Sequence, residues 1–177
     1  MDRVRVEDLS VVARQIGRAP RGVDDVAHRC RFGRPQVVLV HPVVDGNPFP
    51  TLFWLTCPHL RRAVSALESD GWVARLEDAV RGDDRLRAEL EQAHRAYIDL
   101  RSARLSLDDR ATLAEPGMLR GLLEKGIGGT ADLGRVKCLH VHVAHALAGG
   151  GNPIGRIVLA KLEAAECDPE STICSAP

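Results

Sequence analysis

The residues best suited to chemistry in this chain are its cysteines and histidines, and they gather in three places. His28-x-Cys30 is the first and Cys57-Pro58-His59 the second. The third is the run Lys137-Cys138-Leu139-His140-Val141-His142-Val143-Ala144-His145. If residues 133–148 form a helix, Cys138, His142 and His145 fall at i, i+4 and i+7, within an arc of about 60°. Thiolate and imidazole donors on one face are metal-ligand chemistry. Leu139, Val143, Ala146 and Leu147 form a separate core-facing stripe, and His140 falls at its far edge, apart from the three donors. The plain alternative is that His142 and His145 are ordinary core or solvent-facing residues.

Cys30 and Cys57 are the natural companions of that face. Both lie at C-terminal ends of predicted strands, and an antiparallel meander brings the ends of its first and third strands to one edge. Cys57 precedes Pro58, a good first helical residue, which makes it a helix N-cap whose thiol the helix dipole should acidify. Taken singly, each is also at home as a small buried hydrophobe. The candidate metal ligands are therefore Cys30, Cys57, Cys138, His142 and His145, with Cys167 or Cys174 of the tail as alternative closing ligands. A Cys3His or Cys2His2 set implies zinc, and four cysteines would permit an iron–sulfur cluster. Zinc is favoured because histidines outnumber spare cysteines in the middle of the chain. No CxxC pair is present.

Other site patterns are absent. Cys57 is followed by Arg61 and Arg62, too close for a phosphatase loop, and position 63 is Ala. Gly126-Ile-Gly-Gly lacks the Lys-Ser/Thr of a phosphate-binding loop. Gly149-Gly-Gly-Asn-Pro-Ile-Gly reads as a helix stop and turn, or as a cradle for an anion.

The elements that must position these residues follow from periodicity. Residues 7–16 read as a helix stopped by Gly17. Residues 23–30, 36–44 and 51–56 read as strands, the middle one densest in β-branched residues. Asp45-Gly46 supplies the turn before the third. Helical spacing follows from Pro58, broken at Asp70-Gly71, then a long charged helix spans 83–105. A short helix at 118–124, a buried helix at 133–148 and a last helix at 154–165 complete the chain. The predicted fold is α+β, a small antiparallel three-stranded meander packed with five to six helices, in one domain (1–165) with a C-terminal tail (166–177).

Lysine plus arginine and aspartate plus glutamate both number 24, so the basic excess of a nucleic-acid binder is missing. No apolar run approaches the roughly 18 residues of a membrane span, and residues 1–7 carry no apolar signal core. A cytoplasmic protein with reduced cysteines is expected.

Three motifs carry a family resemblance: Asp45-Gly-Asn-Pro-Phe-Pro-Thr-Leu-Phe-Trp-Leu-Thr-Cys-Pro, Arg135-Val-Lys-Cys-Leu-His-Val-His-Val-Ala-His-Ala-Leu, and Gly151-Asn-Pro-Ile-Gly. Together they resemble the bacterial DUF501 family, a domain of unknown function, over roughly residues 8–163. Members of that family often have Cys-Pro-Cys-Gly where this chain has Cys30-Arg-Phe-Gly33. Family genes often lie near those for a septum-formation initiator protein and enolase, which implies bacterial housekeeping and no particular reaction. The resemblance supplies no catalytic residues.

Three functions are compatible with these readings. One is a metal-binding protein of structural or regulatory role. Another is a thiol enzyme with Cys57 as nucleophile and His142 or His145 as base. The third is a metal-free interaction module of the division or envelope machinery, binding a protein partner through the charged helix at 83–105.

Overall fold

A computed structural model of the chain describes residues 2–113, 116–163, 165–167 and 174. In chain order the elements are β1 (Asp2–Arg3), α1 (Val6–Ile16), β2 (Val23–Arg29), β3 (Pro35–Val40), β4 (Val43–Val44), β5 (Asn47–Pro48) and β6 (Phe53–Leu55). Then come α2 (Pro58–Ser69), α3 (Trp72–Gly82), α4 (Asp84–Ala103), α5 (Leu107–Thr112), α6 (Pro116–Glu124), α7 (Leu139–Leu147) and α8 (Pro153–Lys161).

The fold is α+β and mostly helical. Its centre is β3, whose six residues are all buried, as a Val/Leu-rich strand covered on both faces must be. It pairs antiparallel with β2 on one side and β6 on the other. This is the expected meander, with β1 added beyond β2 as a fourth strand. One face of β3 presents Val38 and Val40 to Val12 and Ile16 of α1. The other presents Val37 and Leu39 to the main core, with Leu60 and Val64 from α2, Leu90 and Tyr97 from α4, Leu139 and Val143 from α7, and Ile154 and Val158 from α8.

The differences from the sequence-based elements have local causes. The strand expected over 36–44 stops at Val40, because Pro42 cannot donate to a ladder. Val43–Val44 instead forms a small hairpin with Asn47–Pro48. Its turn places both Asp45 and Gly46 at positive φ, 49° and 74°, the requirement of a tight hairpin. Short α5 was not expected, although Ser106 and Asp109 form a capping box at its start. The helix expected from residue 133 starts only at Leu139, after Asp132 ties the preceding loop by accepting from the Gly134 N–H at 2.9 Å. Among the described residues no helix is long and apolar enough to cross a membrane.

Candidate metal centre

The late start of α7 changes what Cys138 can do. Cys138 is the N-cap, extended at φ −152° and ψ 130°, so it does not share a helical face with His142 and His145. That expectation is corrected, and so is the setting apart of His140. With the chain extended at Cys138, its Sγ turns toward His140 Nδ1, 3.6 Å away. From α2, Glu68 reaches the same point. Its Oε1 lies 3.2 Å from His140 Nδ1 and accepts the Leu139 N–H at 2.7 Å. Glu68, Cys138 and His140 offer an oxygen, a sulfur and a nitrogen, all within 4.8 Å of one another, and form the only such group of three or more among the described residues.

The other side of the imidazole fixes its tautomer. His140 Nε2 lies 3.2 Å from the Arg61 carbonyl and 3.3 Å from the Ser65 hydroxyl. A carbonyl only accepts, so Nε2 carries a hydrogen. Nδ1 faces a carboxylate oxygen and a sulfur, an arrangement that calls for a positive charge there, either a proton on the ring or a bound cation. Burial pushes the Cys138 thiol up, and the Glu68 carboxylate pushes it further. Without a cation, Cys138 therefore stays a thiol.

His142 and His145 lie elsewhere, in the core with His94, Tyr97 and Phe53. Asn152, the N-cap of α8, accepts the Gly155 N–H at 2.9 Å, so its amide nitrogen turns to the histidines. It donates to His142 Nδ1 at 3.0 Å and to His145 Nδ1 at 3.3 Å. His94 Nδ1 accepts the Ile127 N–H at 2.9 Å. The lone pairs of these rings are thus used by N–H donors, and burial lowers the pKa of His142 to about 3 and those of His94 and His145 to about 4. The rings act as packed aromatics: His145 stacks on Phe53 at 5.7 Å and lies edge-on to Tyr97 at 5.0 Å. Space around them is tight. A Cβ on Gly150 would lie 1.9 Å from the His145 ring, and one on Gly126 would lie 2.2 Å from His94 Nδ1.

Cys30 and Cys57 are at the opposite end of α2 from Glu68. The strand ends meet as the topology requires: Arg29 pairs with Pro35, and the Thr56 N–H donates to the Gln36 carbonyl at 2.9 Å. Cys57 is the N-cap of α2 with Pro58 following. The expected acidification of its thiol is corrected. Cys57 is buried, and burial pushes the thiol up, outweighing the backbone N–H groups of His59 and Leu60. A raised, buried thiol is the opposite of an activated nucleophile. Glu166, Cys167 and Cys174 of the tail also lie at this end, against Arg31 and Gln15.

A cleft of about 800 Å³ opens beside His140. Phe53, Leu55, Val141, Arg18, Arg61 and Arg62 are among the residues that line it. The long charged helix, α4, turns its apolar side and Arg101 inward, and pairs Arg85 with Glu89 and Arg95 with Glu91 along its exposed side.

Glu68 and Asn152 escaped sequence reasoning. Glu68 sits in an unremarkable charged stretch and meets Cys138 only through the packing of α2 on α7. Asn152 carried a sequence cue, Asn-Pro at a helix start, although its reach to two histidines did not follow from it. No curated protein and no solved structure matches the chain. Residues 26–160 match the family model DUF501, "Protein of unknown function". That match covers most of the sequence and every element from within β2 to within α8, so the chain belongs to the DUF501 family.

Proposed function

We propose that this DUF501 protein is a metal-binding protein that holds a zinc ion through Glu68 Oε1, Cys138 Sγ and His140 Nδ1, with a structural or regulatory role. The observation that carries the reading is the His140 ring, with Nε2–H given to a carbonyl and Nδ1 facing a carboxylate and a sulfur. A metal-bound histidine is ordinarily oriented in this way by a carbonyl on its other nitrogen. The spacing agrees. Tetrahedral zinc with bonds of about 2.3 Å to sulfur and about 2.0–2.1 Å to nitrogen and oxygen sets its ligands about 3.4–3.5 Å apart. The observed separations are 3.6 Å and 3.2 Å. A mixed oxygen, nitrogen and sulfur donor set suits zinc better than a hard cation.

The ion would pin the N-terminus of α7 to α2 and neutralise Glu68. A fourth position, open to water, would complete the tetrahedron. We place the protein in the cytoplasm, where Cys138 stays reduced.

Cobalt substitution tests the reading. Cobalt(II) should bind tetrahedrally with charge-transfer intensity of a single thiolate, and zinc should displace it. Cys138→Ser should abolish the charge-transfer band, and His140→Ala should weaken zinc binding about 100-fold or more. Binding unchanged by both substitutions would overturn the assignment. So would an imidazolium at His140, seen by NMR at neutral pH with zinc present, because the positive charge would then be a proton.

A further inference from the structure

The cysteines outside this centre converge at another point. β2 ends at Arg29, so Cys30 opens the turn to β3, closed by the Cys30 N–H to the Arg34 carbonyl at 2.9 Å. Across β3, the Cys57 N–H faces the Gln36 carbonyl at 3.4 Å. Two thiols therefore flank the start of β3. The described residues of the tail return to the same place. Gln36 Nε2 donates to the Ala165 carbonyl at 3.2 Å. The Arg31 N–H meets the Glu166 carboxylate at 3.3 Å, and its guanidinium meets the Cys167 carbonyl at 3.5 Å. Gln15 Nε2 donates to the Pro35 carbonyl at 2.8 Å and to Cys174 Sγ at 3.2 Å. The thiols are close enough to act on one another: Cys167 and Cys174 both raise Cys57, and Cys174 and Cys30 both raise Cys167.

Four of the five cysteines thus lie around the first two residues of β3, drawn from three separate stretches of chain. All are free thiols, and each is buried or half-buried. We propose that Cys30, Cys57, Cys167 and Cys174 form a four-thiolate site for an iron–sulfur cluster at this end of the sheet. Two features suit a cluster. The four donors are all sulfur, and Cys138 belongs to the other centre. The other is that donors and arginines stand at this end beside the Glu166 carboxylate. The Gln15 amide donates to a sulfur, a contact that tunes cluster sulfurs, and Arg31 and Arg61 lie at this end, Arg61 donating to the Gln15 carbonyl at 3.4 Å.

This site shares no residue with the Glu68–Cys138–His140 centre, so the two can be tested apart. The full chain should be purified without oxygen and assayed for iron, acid-labile sulfide and visible absorption near 400 nm. Iron and sulfide in comparable amounts with a thiolate-to-iron band support the proposal. Cys57→Ser and Cys167→Ser should each lose at least about three quarters of the iron while keeping the far-ultraviolet circular dichroism, since Ser is itself a good N-cap and Cys167 is half-buried in the tail. Cys138→Ser and His140→Ala should keep it. No iron after anaerobic reconstitution with ferrous ion and sulfide overturns the proposal. Zinc held by the four thiolates in place of iron also overturns it, as does iron retained by both tail and N-cap variants.

Discussion

His140 and His142 are two residues apart on the first turn of α7, and their nitrogens are used in opposite ways. His142 is fully buried, and its Nδ1 accepts a hydrogen from the Asn152 amide. His140 is half-buried, gives its Nε2 hydrogen to the Arg61 carbonyl, and turns its Nδ1 to Glu68 and Cys138. The contrast shows that donor type and spacing alone do not choose a ligand. What the second nitrogen bonds to decides whether the first is free, and only the fold supplies that partner.

The largest test of the contrast is pH. His94, His142 and His145 have folded pKa values lowered to about 4, 3 and 4, below the ordinary value near 6.5. The unfolded chain binds their protons first. Their neutrality therefore stabilises the fold above about pH 6.5, and that stability is lost as pH falls from there toward 4 and 3. Each contributes up to about 2 kcal/mol of loss between pH 6.5 and 5. Urea unfolding at pH 7 and pH 5 should show it, and His142→Gln should shrink the slope by about one proton. An unchanged slope would break the neutral-core half of the comparison.

Next in size is Gly155→Ala. The new Cβ would lie 2.2 Å from the His142 carbonyl oxygen, which forces α8 away from α7. The expected loss is about 3 kcal/mol, read from the urea midpoint, with zinc affinity at His140 little changed.

Paired alanine substitutions sharpen the contrast directly. His140→Ala should cost about 100-fold in zinc affinity, or about 2.7 kcal/mol, with little loss of stability. His142→Ala should do the reverse, lowering stability by about 2 kcal/mol and leaving zinc affinity within about threefold. Calorimetric titration and thermal melts on both proteins would reveal a reversed pattern. The smallest effect belongs to Ser65→Ala. Because the Arg61 carbonyl still holds Nε2, zinc affinity should fall by less than about threefold; a loss near that of His140→Ala would show that the hydroxyl, not the carbonyl, fixes the ring.

Much of the scaffold was readable in the chain. The Val-rich run of β3, the Asp45-Gly46 turn and the break at Gly71 all encode local geometry, and local geometry is what side-chain pattern reports. The meander followed, and with it the meeting of Cys30 and Cys57 at one edge. Long-range polar contacts were not readable. Glu68 meets His140 across 72 residues. Among the described residues Arg101 is buried with no carboxylate partner, its charge held by the carbonyls of Leu122, Pro50 and Lys125, and nothing in its surrounding sequence marks it as different from Arg95 on the exposed side. The start of α7 was misread for a related reason. Val136 to Leu147 is apolar enough for a longer helix, and the loop tied by Asp132 overrides that preference.

The return of the tail to the start of β3 sets an order of events. Gln15 and Cys174 are 159 residues apart, and closing a loop of that length costs roughly 4–5 kcal/mol of chain entropy. On a ribosome adding about 5–20 residues per second, Cys174 emerges roughly 7–30 s after Gln36. Through that interval the start of β3 stands uncovered, with Cys30 and Cys57 in place and their partners not yet made. A cluster of the kind proposed for those thiols would be inserted late, or handed from a two-cysteine intermediate to the completed set.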